Sequence, residues 1–168
     1  MKALSLTIKT IKVRHAVFSD CEDLLVLMKK LADFEKYIDD FKVTVEDLIS
    51  HGFSQSVEDN QNFTALVAEQ RTGQGTRLQG YLVYYLIPFT YDLKPTLFIK
   101  ELFVDNNARG QRIGKKLMEA AIEDAKEKGC GRLKWDVLSD NIEAQLFYKS
   151  LGASYDERWQ GFVLNVRN

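Results

Sequence analysis

Residues 107–116 read NARGQRIGKK, a short basic stretch that contains two glycines. It follows a strand-like run at residues 96–104 and precedes a helix-like run at residues 113–128. A glycine loop between a strand and a helix leaves free backbone N–H groups at the positive end of the helix dipole, where a phosphate can bind. Cations at a helix start are disfavoured by roughly 0.3–1 kcal/mol each, so a bound polyanion would turn that penalty into attraction. The cations in question are Arg109, Arg112, Lys115 and Lys116. Loop composition alone leaves open a solvated charged helix start.

The whole chain has the size and composition of one soluble globular domain. Its 168 residues are 45% hydrophobic and 28% charged, and we expect one domain over residues 1–168. The formal net charge of −1 argues against a nucleic-acid partner. Cys21 and Cys130 are far apart and form no ligand cluster, so we expect neither a disulfide nor a metal, and a cytoplasmic location fits. No stretch has transmembrane length, so a membrane partner is not expected.

Hydrophobic periodicity predicts an α/β fold in the order β-α-α-β-β-β-α-β-α-β. Ser19 with Glu22 and Thr44 with Asp47 predict capping boxes at the first two helices. The second and third strands form a hairpin, and the strand that follows the third helix predicts a parallel crossover. The strands are predicted at residues 11–14, 63–68, 78–87, 96–104, 133–138 and 159–166, and the helices at residues 20–37, 45–51, 113–128 and, capped by Asp140 or Asn141, up to Ser150.

The segment RGQRIG at residues 109–114 resembles the acetyl-CoA pyrophosphate loop of the GNAT acetyltransferases, whose pattern is Gln/Arg-x-x-Gly-x-Gly/Ala. The chain is most similar to the diamine (spermidine/spermine) acetyltransferase branch. The matching segments run in the same order at residues 13–16, 20–21, 31–35, 52–53, 66–69, 84–85, 89–92, 101–104 and 147–153. Two residues depart from the family pattern: Arg112 replaces the first glycine of the loop, and Lys100 replaces an acid near the amine substrate.

The resemblance implies the GNAT fold, with a mixed, mostly antiparallel central sheet, flanking helices and a parallel β-α-β unit that binds acetyl-CoA. It also implies a homodimer. Main-chain groups of Leu102, Phe103 and Val104 would bind the pantetheine arm, and Asn141 would both cap its helix and touch the cofactor. The loop residues that would bind the pyrophosphate are Arg109, Gly110, Gln111, Arg112, Ile113, Gly114 and Lys115.

The resemblance also assigns the proton-transfer role of general acid to Tyr148, which is otherwise read as a core aromatic. A phenol with a pKa of about 10 stays protonated at neutral pH and can protonate the leaving thiolate. Glu101 is the best candidate for the base, because its apolar neighbours suggest burial that raises its pKa. Glu35, beside Phe34, and Glu157 are candidates for binding a second ammonium group, although each alone resembles a solvated surface acid.

Neighbours on a strand point to opposite faces, so Lys100 and Glu101 are not expected to pair. If Lys100 reaches the acceptor site, it would repel long polyamines and favour short or zwitterionic amines. We therefore expect an N-acetyltransferase that moves acetyl from acetyl-CoA to a primary amine of a small diamine, polyamine or amino-acid-like amine, by direct attack in a ternary complex. Acetylation of a protein N-terminus or lysine, and a non-catalytic CoA-binding module, remain open alternatives.

Overall fold

The computed structural model describes residues 10–53, 62–72, 75–88 and 92–166. Its described residues fall into two compact units, Met1–Asp136 and Val137–Asn168. The first unit contains the sheet and three helices, and the second contains one helix. The elements are β1 (Ile11–His15), α1 (Cys21–Phe34), α2 (Val45–Gly52), β2 (Thr64–Thr72), β3 (Gly75–Ile87), β4 (Thr96–Val104), α3 (Ile113–Glu127), β5 (Arg132–Trp135) and α4 (Ile142–Ser150).

The five strands form one mixed sheet in the order β1-β2-β3-β4-β5. The first four strands pair antiparallel, and β4 pairs parallel with β5 through the crossover helix α3. This arrangement confirms the predicted fold class and its parallel β-α-β unit. The hairpin strands are longer than predicted, since β2 continues to Thr72 and β3 begins at Gly75, whereas β5 ends already at Trp135.

Helix α1 packs on one face of the sheet through residues at helical spacing. Leu24, Leu27 and Leu31 are nearly inaccessible to solvent and join Tyr81 and Phe103 of the sheet in one hydrophobic core. The helix ends at Phe34, three residues earlier than predicted. It ends there because Lys36 adopts a left-handed conformation with φ of 66°, and the N–H of Tyr37 donates to the carbonyl of Ala32.

The start of α1 differs from the predicted Ser19–Glu22 capping box. Asp20 is the N-cap residue, but its side chain makes no cap bond to the helix. Its carboxylate instead accepts the backbone N–H of Val17 at 2.7 Å and two hydrogen bonds from Arg14 at 2.6 and 3.0 Å. Asp20 therefore ties β1 to α1. The predicted Thr44–Asp47 box at α2 is confirmed, because each residue's side chain accepts the other's backbone N–H.

The strand predicted at residues 159–166 is wrong for the described part of the chain, which has irregular backbone there. The side chains of Phe162 and Leu164 are 91% and 90% exposed. Alternation of apolar residues makes a strand only when a neighbouring strand supplies the hydrogen bonds.

Among the described residues, no helix is both long enough and apolar enough to cross a membrane. The described residues also contain no group of three or more His, Cys, Asp or Glu side chains arranged to hold a metal ion.

Candidate active site

The loop between β4 and α3 is fixed by backbone capping and by two residues with positive φ. The Asp105 carboxylate accepts the N–H of Asn107 at 3.0 Å and begins a single helical turn that ends at the buried Ala108. Gly110 follows with φ of 78°, and Arg112 has φ of 60° and ψ of 20°. Helix α3 begins directly after the loop, so the free N–H groups of the first turn of α3 lie near the end of β4.

Arg112 occupies the position at which the family pattern has glycine, and its backbone keeps a glycine-like conformation. The left-handed region costs an ordinary L-residue roughly 1–2 kcal/mol. The Arg112 side chain is exposed and makes no cap hydrogen bond to α3. The substitution therefore leaves the shape of the loop intact and places a strained cation at the helix start.

A second cation of the loop, Arg109, is drawn toward the end of α1. Its guanidinium carbon lies 5.7 Å from the centre of the Phe34 ring, within the range of a cation–π contact. Lys30 of α1 forms an ion pair with Asp105, and Lys30 is the main reason that the pKa of Asp105 is lowered. These two contacts join the end of α1, which leads into Glu35, to the loop before α3.

β4 contains a bulge at Lys100. In the register with β3, Val83 pairs with Glu101 and Tyr84 pairs with Ile99, so Lys100 has no partner on β3.

On its other side, β4 pairs in parallel with β5 only as far as Ile99. Among the described residues, no strand pairs with β4 on its β5 side beyond that point. The stretch with Leu102, Phe103 and Val104 therefore has a free edge to which an extended ligand can bind.

Glu101 is half-buried on the α1 side of the sheet, among ionisable groups from three segments. Its Oε2 accepts a hydrogen bond from the Tyr81 hydroxyl at 2.9 Å. Burial raises the pKa of Glu101, while the hydrogen bond from Tyr81 and the charge of Lys100 lower it and the charge of Glu35 raises it. The net shift is upward, as expected for a carboxyl that can act as a base near neutral pH.

Glu35 and Tyr37 face the same carboxylate from the end of α1. Burial raises the pKa of Glu35, and the charge of Lys100 opposes that change. Burial, followed by the charges of Glu101 and Glu35, raises the pKa of Tyr37 to about 12. The charge of Lys100 thus opposes the rise of both pKa values, and Lys100 lies at the bulge that interrupts the pairing of β4 with β3.

The second unit contains Asn141, Tyr148 and Glu157. Asn141 caps α4, since its side-chain oxygen accepts the N–H of Ala144 at 3.1 Å. Tyr148 is half-buried, and its ring centre lies 5.2 Å from that of Phe147. Glu157 is exposed in a turn. The cap predicted at Asn141 is confirmed, and the catalytic and ligand-binding roles of these three residues stay predictions.

A comparison with protein families decides the class of the chain. The profile of the acetyltransferase (GNAT) family matches residues 28–153, which include both β4 and the loop before α3. The chain therefore belongs to the GNAT family.

Relatives of this GNAT chain cover most of its length. The thialysine N-epsilon-acetyltransferase of Sus scrofa is 33% identical over 160 residues, which are 91% of each chain. The spermidine/spermine N(1)-acetyltransferase-like protein 1 of Homo sapiens is 31% identical over 162 residues, 92% of this chain and 22% of that protein. These relatives match the diamine acetyltransferase branch and make the chain an amine N-acetyltransferase.

A solved structure shows the same fold. An aminoglycoside acetyltransferase from an uncultured soil metagenomic sample, in complex with sisomicin, superposes with a TM-score of 0.74 at 23% identity. The match covers 94% of this chain and 97% of that one.

Tyr81 is one residue of this GNAT site that the sequence alone did not predict. It lies in an apolar strand and is 0% exposed, so its position reads as core. The available signal was its hydroxyl, because a buried tyrosine usually finds a hydrogen-bond partner. The identity of that partner depends on the register of β3 against β4, which places Glu101 within reach.

Proposed function

We propose that this GNAT domain, residues 1–168, transfers acetyl from acetyl-CoA to a primary amine of a small diamine, polyamine or amino-acid-like amine. The reaction is a direct attack within a ternary complex. One observation carries the proposal: β4 combines a half-buried, hydrogen-bonded carboxylate at Glu101 with a free backbone edge immediately after it. A base for the amine and a docking edge for the acyl donor thus lie on one strand.

The free edge and the loop fit the acetyl-CoA that GNAT enzymes use. Main-chain groups of Leu102, Phe103 and Val104 would hold the pantetheine arm as an added strand, and Asn141 would contribute from α4. The pyrophosphate would lie against the N–H groups at the start of α3, beside the cations of the loop. Acetyl-CoA supplies an activated thioester. The binding residues are Arg109, Gly110, Gln111, Arg112, Ile113, Gly114 and Lys115.

Proton transfer needs two groups of the chain. An amine with a lysine-like pKa of about 10.4 is neutral in only roughly one molecule in 10³ at pH 7, so a base must accept its proton. Glu101 takes this role, because its raised pKa brings it closer to neutral pH. Tyr148 donates its phenolic proton to the leaving thiolate, and a ternary complex makes an acyl-enzyme unnecessary.

The charges around Glu101 select the amine. Phe34 and Glu35 at the end of α1, together with Glu157, would receive a second ammonium group. Lys100 supplies a cation beside the same carboxylates. It disfavours long polyamines and can pair with the carboxylate of an amino-acid-like amine. The relative named for thialysine acts, by its name, at a side-chain amine of an amino acid.

Assembly and location form a separate proposal. We propose a cytoplasmic homodimer that has neither a nucleic acid nor a membrane as a partner. The net charge of −1 supports the absence of a polyanionic partner. The exposed Trp159 and Phe162 offer apolar surface for a subunit interface. Sedimentation equilibrium of the purified chain tests the dimer, and a monomer at micromolar concentration would contradict it.

A thiol-release assay with acetyl-CoA and a panel of acceptors tests the reaction. The panel contains a diamine, a lysine analogue, spermine, a monoamine of equal length and a peptide with a free N-terminus and a lysine. We expect turnover with the diamine or the lysine analogue, and less with spermine. Turnover with the peptide alone would indicate a protein acetyltransferase. Binding of acetyl-CoA without turnover for any acceptor would indicate a CoA-binding module.

The proposed pyrophosphate site is tested separately by titrating acetyl-CoA against loop variants. Arg109→Ala removes a cation, so we expect weaker binding and a weaker dependence on salt. Gly114→Asp adds a carboxylate near the anion and is expected to weaken binding further. Unchanged affinity in both variants would place the cofactor elsewhere on the chain.

A further inference from the structure

Tyr81 is a core side chain that carries a polar hydroxyl group. Tyr81 is among the largest fully buried side chains, and its ring packs 6.2 Å from that of Phe103 in the core beneath α1. A core residue of this shape requires only the ring, since phenylalanine would fill nearly the same volume. The hydroxyl therefore adds one feature to the core, which is the 2.9 Å hydrogen bond to Oε2 of Glu101.

We propose that Tyr81 is a positioning residue that holds the Glu101 carboxylate as the base for the acceptor amine. This inference rests on the amine acetyltransferase function proposed above. The hydroxyl fixes one carboxylate oxygen from the core side and leaves the other oxygen to accept a proton from the substrate. It also stabilises the charged carboxylate and so opposes the rise in the pKa of Glu101 that burial causes.

Tyr81 suits this role because it stays a donor throughout the working pH range. Burial, and then the neighbouring charge of Glu101, raise its pKa well above the ordinary value. The phenol therefore does not compete with Glu101 for the substrate's proton. The other ionisable groups that face Glu101 are Glu35 and Tyr37 after α1 and Lys100 at the bulge of β4. Of these, Lys100 also favours the charged carboxylate, but its side chain is exposed and its effect is open to screening by salt.

The variant Tyr81→Phe tests the inference through the pH profile of kcat/KM for the best amine. Without the hydroxyl the pKa of Glu101 rises further, so the acidic limb of the profile moves to higher pH. We expect a shift of about one pH unit, because one hydrogen bond to a charged carboxylate changes its ionisation equilibrium by roughly tenfold. At a fixed pH on that limb, kcat/KM falls by about the same factor, while the plateau at high pH changes little.

The same strand offers a matched control in Tyr84. This residue is 1% exposed, and its hydroxyl donates to a different carboxylate, Oδ2 of Asp124, at 2.7 Å. Tyr84→Phe removes an equally buried hydroxyl bonded to an acid that the proposed reaction does not use. We expect its acidic limb to coincide with that of the wild type. An unshifted limb in folded Tyr81→Phe, or an equal shift in Tyr84→Phe, would overturn the inference.

A second measurement needs neither the Tyr81→Phe variant nor any turnover. In wild-type protein labelled at the tyrosine Cζ, the Tyr81 resonance should titrate with the ionisation of Glu101, and Glu101→Gln should abolish that titration. A Tyr81 signal that ignores Glu101 would overturn the inference even in an inactive protein. Absence of acetyl transfer to every amine, with the Tyr81 signal following Glu101, would contradict the proposed reaction and leave the contact established. The two failures are thus distinguishable.

Discussion

Replacing Arg112 with glycine should stabilise the folded chain. Arg112 holds φ of 60° and ψ of 20°, and its exposed side chain makes no cap bond. Glycine adopts this left-handed conformation without steric cost, so the substitution removes about 1–2 kcal/mol of backbone strain. The greater freedom of glycine in the unfolded chain returns about 0.4–1 kcal/mol. Arg112→Ala removes the same guanidinium but keeps the strain, so the glycine variant should exceed the alanine variant by about 0.5–1 kcal/mol.

Urea unfolding measures this difference directly as a free energy of unfolding. For a chain of this length, 1 kcal/mol corresponds to about 2–4 °C in Tm. Gly110→Ala provides the mirror experiment, because Gly110 has φ of 78° and an added Cβ would meet nothing within 4 Å. Its loss of stability therefore reports the left-handed strain, reduced by about 0.4–1 kcal/mol because alanine is less free than glycine in the unfolded chain. An alanine variant at Arg112 as stable as the glycine variant would refute the left-handed conformation and the reasoning built on it.

Three further predictions concern chemistry, acid stability and selectivity. Tyr148→Phe should fold and bind acetyl-CoA normally but lose about 10²-fold or more in turnover, the usual scale for a general acid; wild-type turnover would assign the residue to the core. Burial raises the pKa of Asp20, but the hydrogen bonds from Arg14, the N–H of Val17 and the charge of Arg14 together outweigh it and leave the pKa below its usual value. Stability from this carboxylate is therefore present above about pH 4 and is lost as the pH falls through the lowered pKa. Urea unfolding at a series of pH values from about 5 down to about 2, which spans the ordinary aspartate pKa, should show a smaller loss in Asp20→Asn, and parallel losses would exclude Asp20 as a source. Lys100→Glu should raise kcat/KM for spermine relative to a short diamine, by about tenfold or more for one new charge-assisted contact, and an unchanged ratio would remove Lys100 as the selector.

Regular features of the fold were predictable because local sequence determines them. β4 was predicted with its observed bounds, and Thr44 and Asn141 cap their helices as predicted. The end of α1 was missed, since no glycine marks it and the left-handed turn falls on Lys36. The strand predicted at residues 159–166 failed because strand formation depends on a partner that periodicity does not reveal.

The candidate site was predictable in its residue types and less so in its geometry. Glu35 and Glu101 stood out as acids beside aromatic residues, and the structure brings their charges together. The bulge at Lys100 was not predictable, because alternation presumes a regular pleat and a bulge depends on the facing strand. The contact of Tyr81 with Glu101 was not predicted for the same reason, since it depends on the register between two strands.

The central claim is most directly tested by quantifying products when the wild-type chain is incubated with acetyl-CoA and a short diamine. Free thiol and N-acetylated amine are measured together, with and without the amine. We predict one acetylated amine for each thiol released, and neither thiol nor acetyl-enzyme when the amine is omitted. Thiol release without acetylated amine, or a stoichiometric acetyl-enzyme formed in its absence, would contradict direct transfer to a small amine.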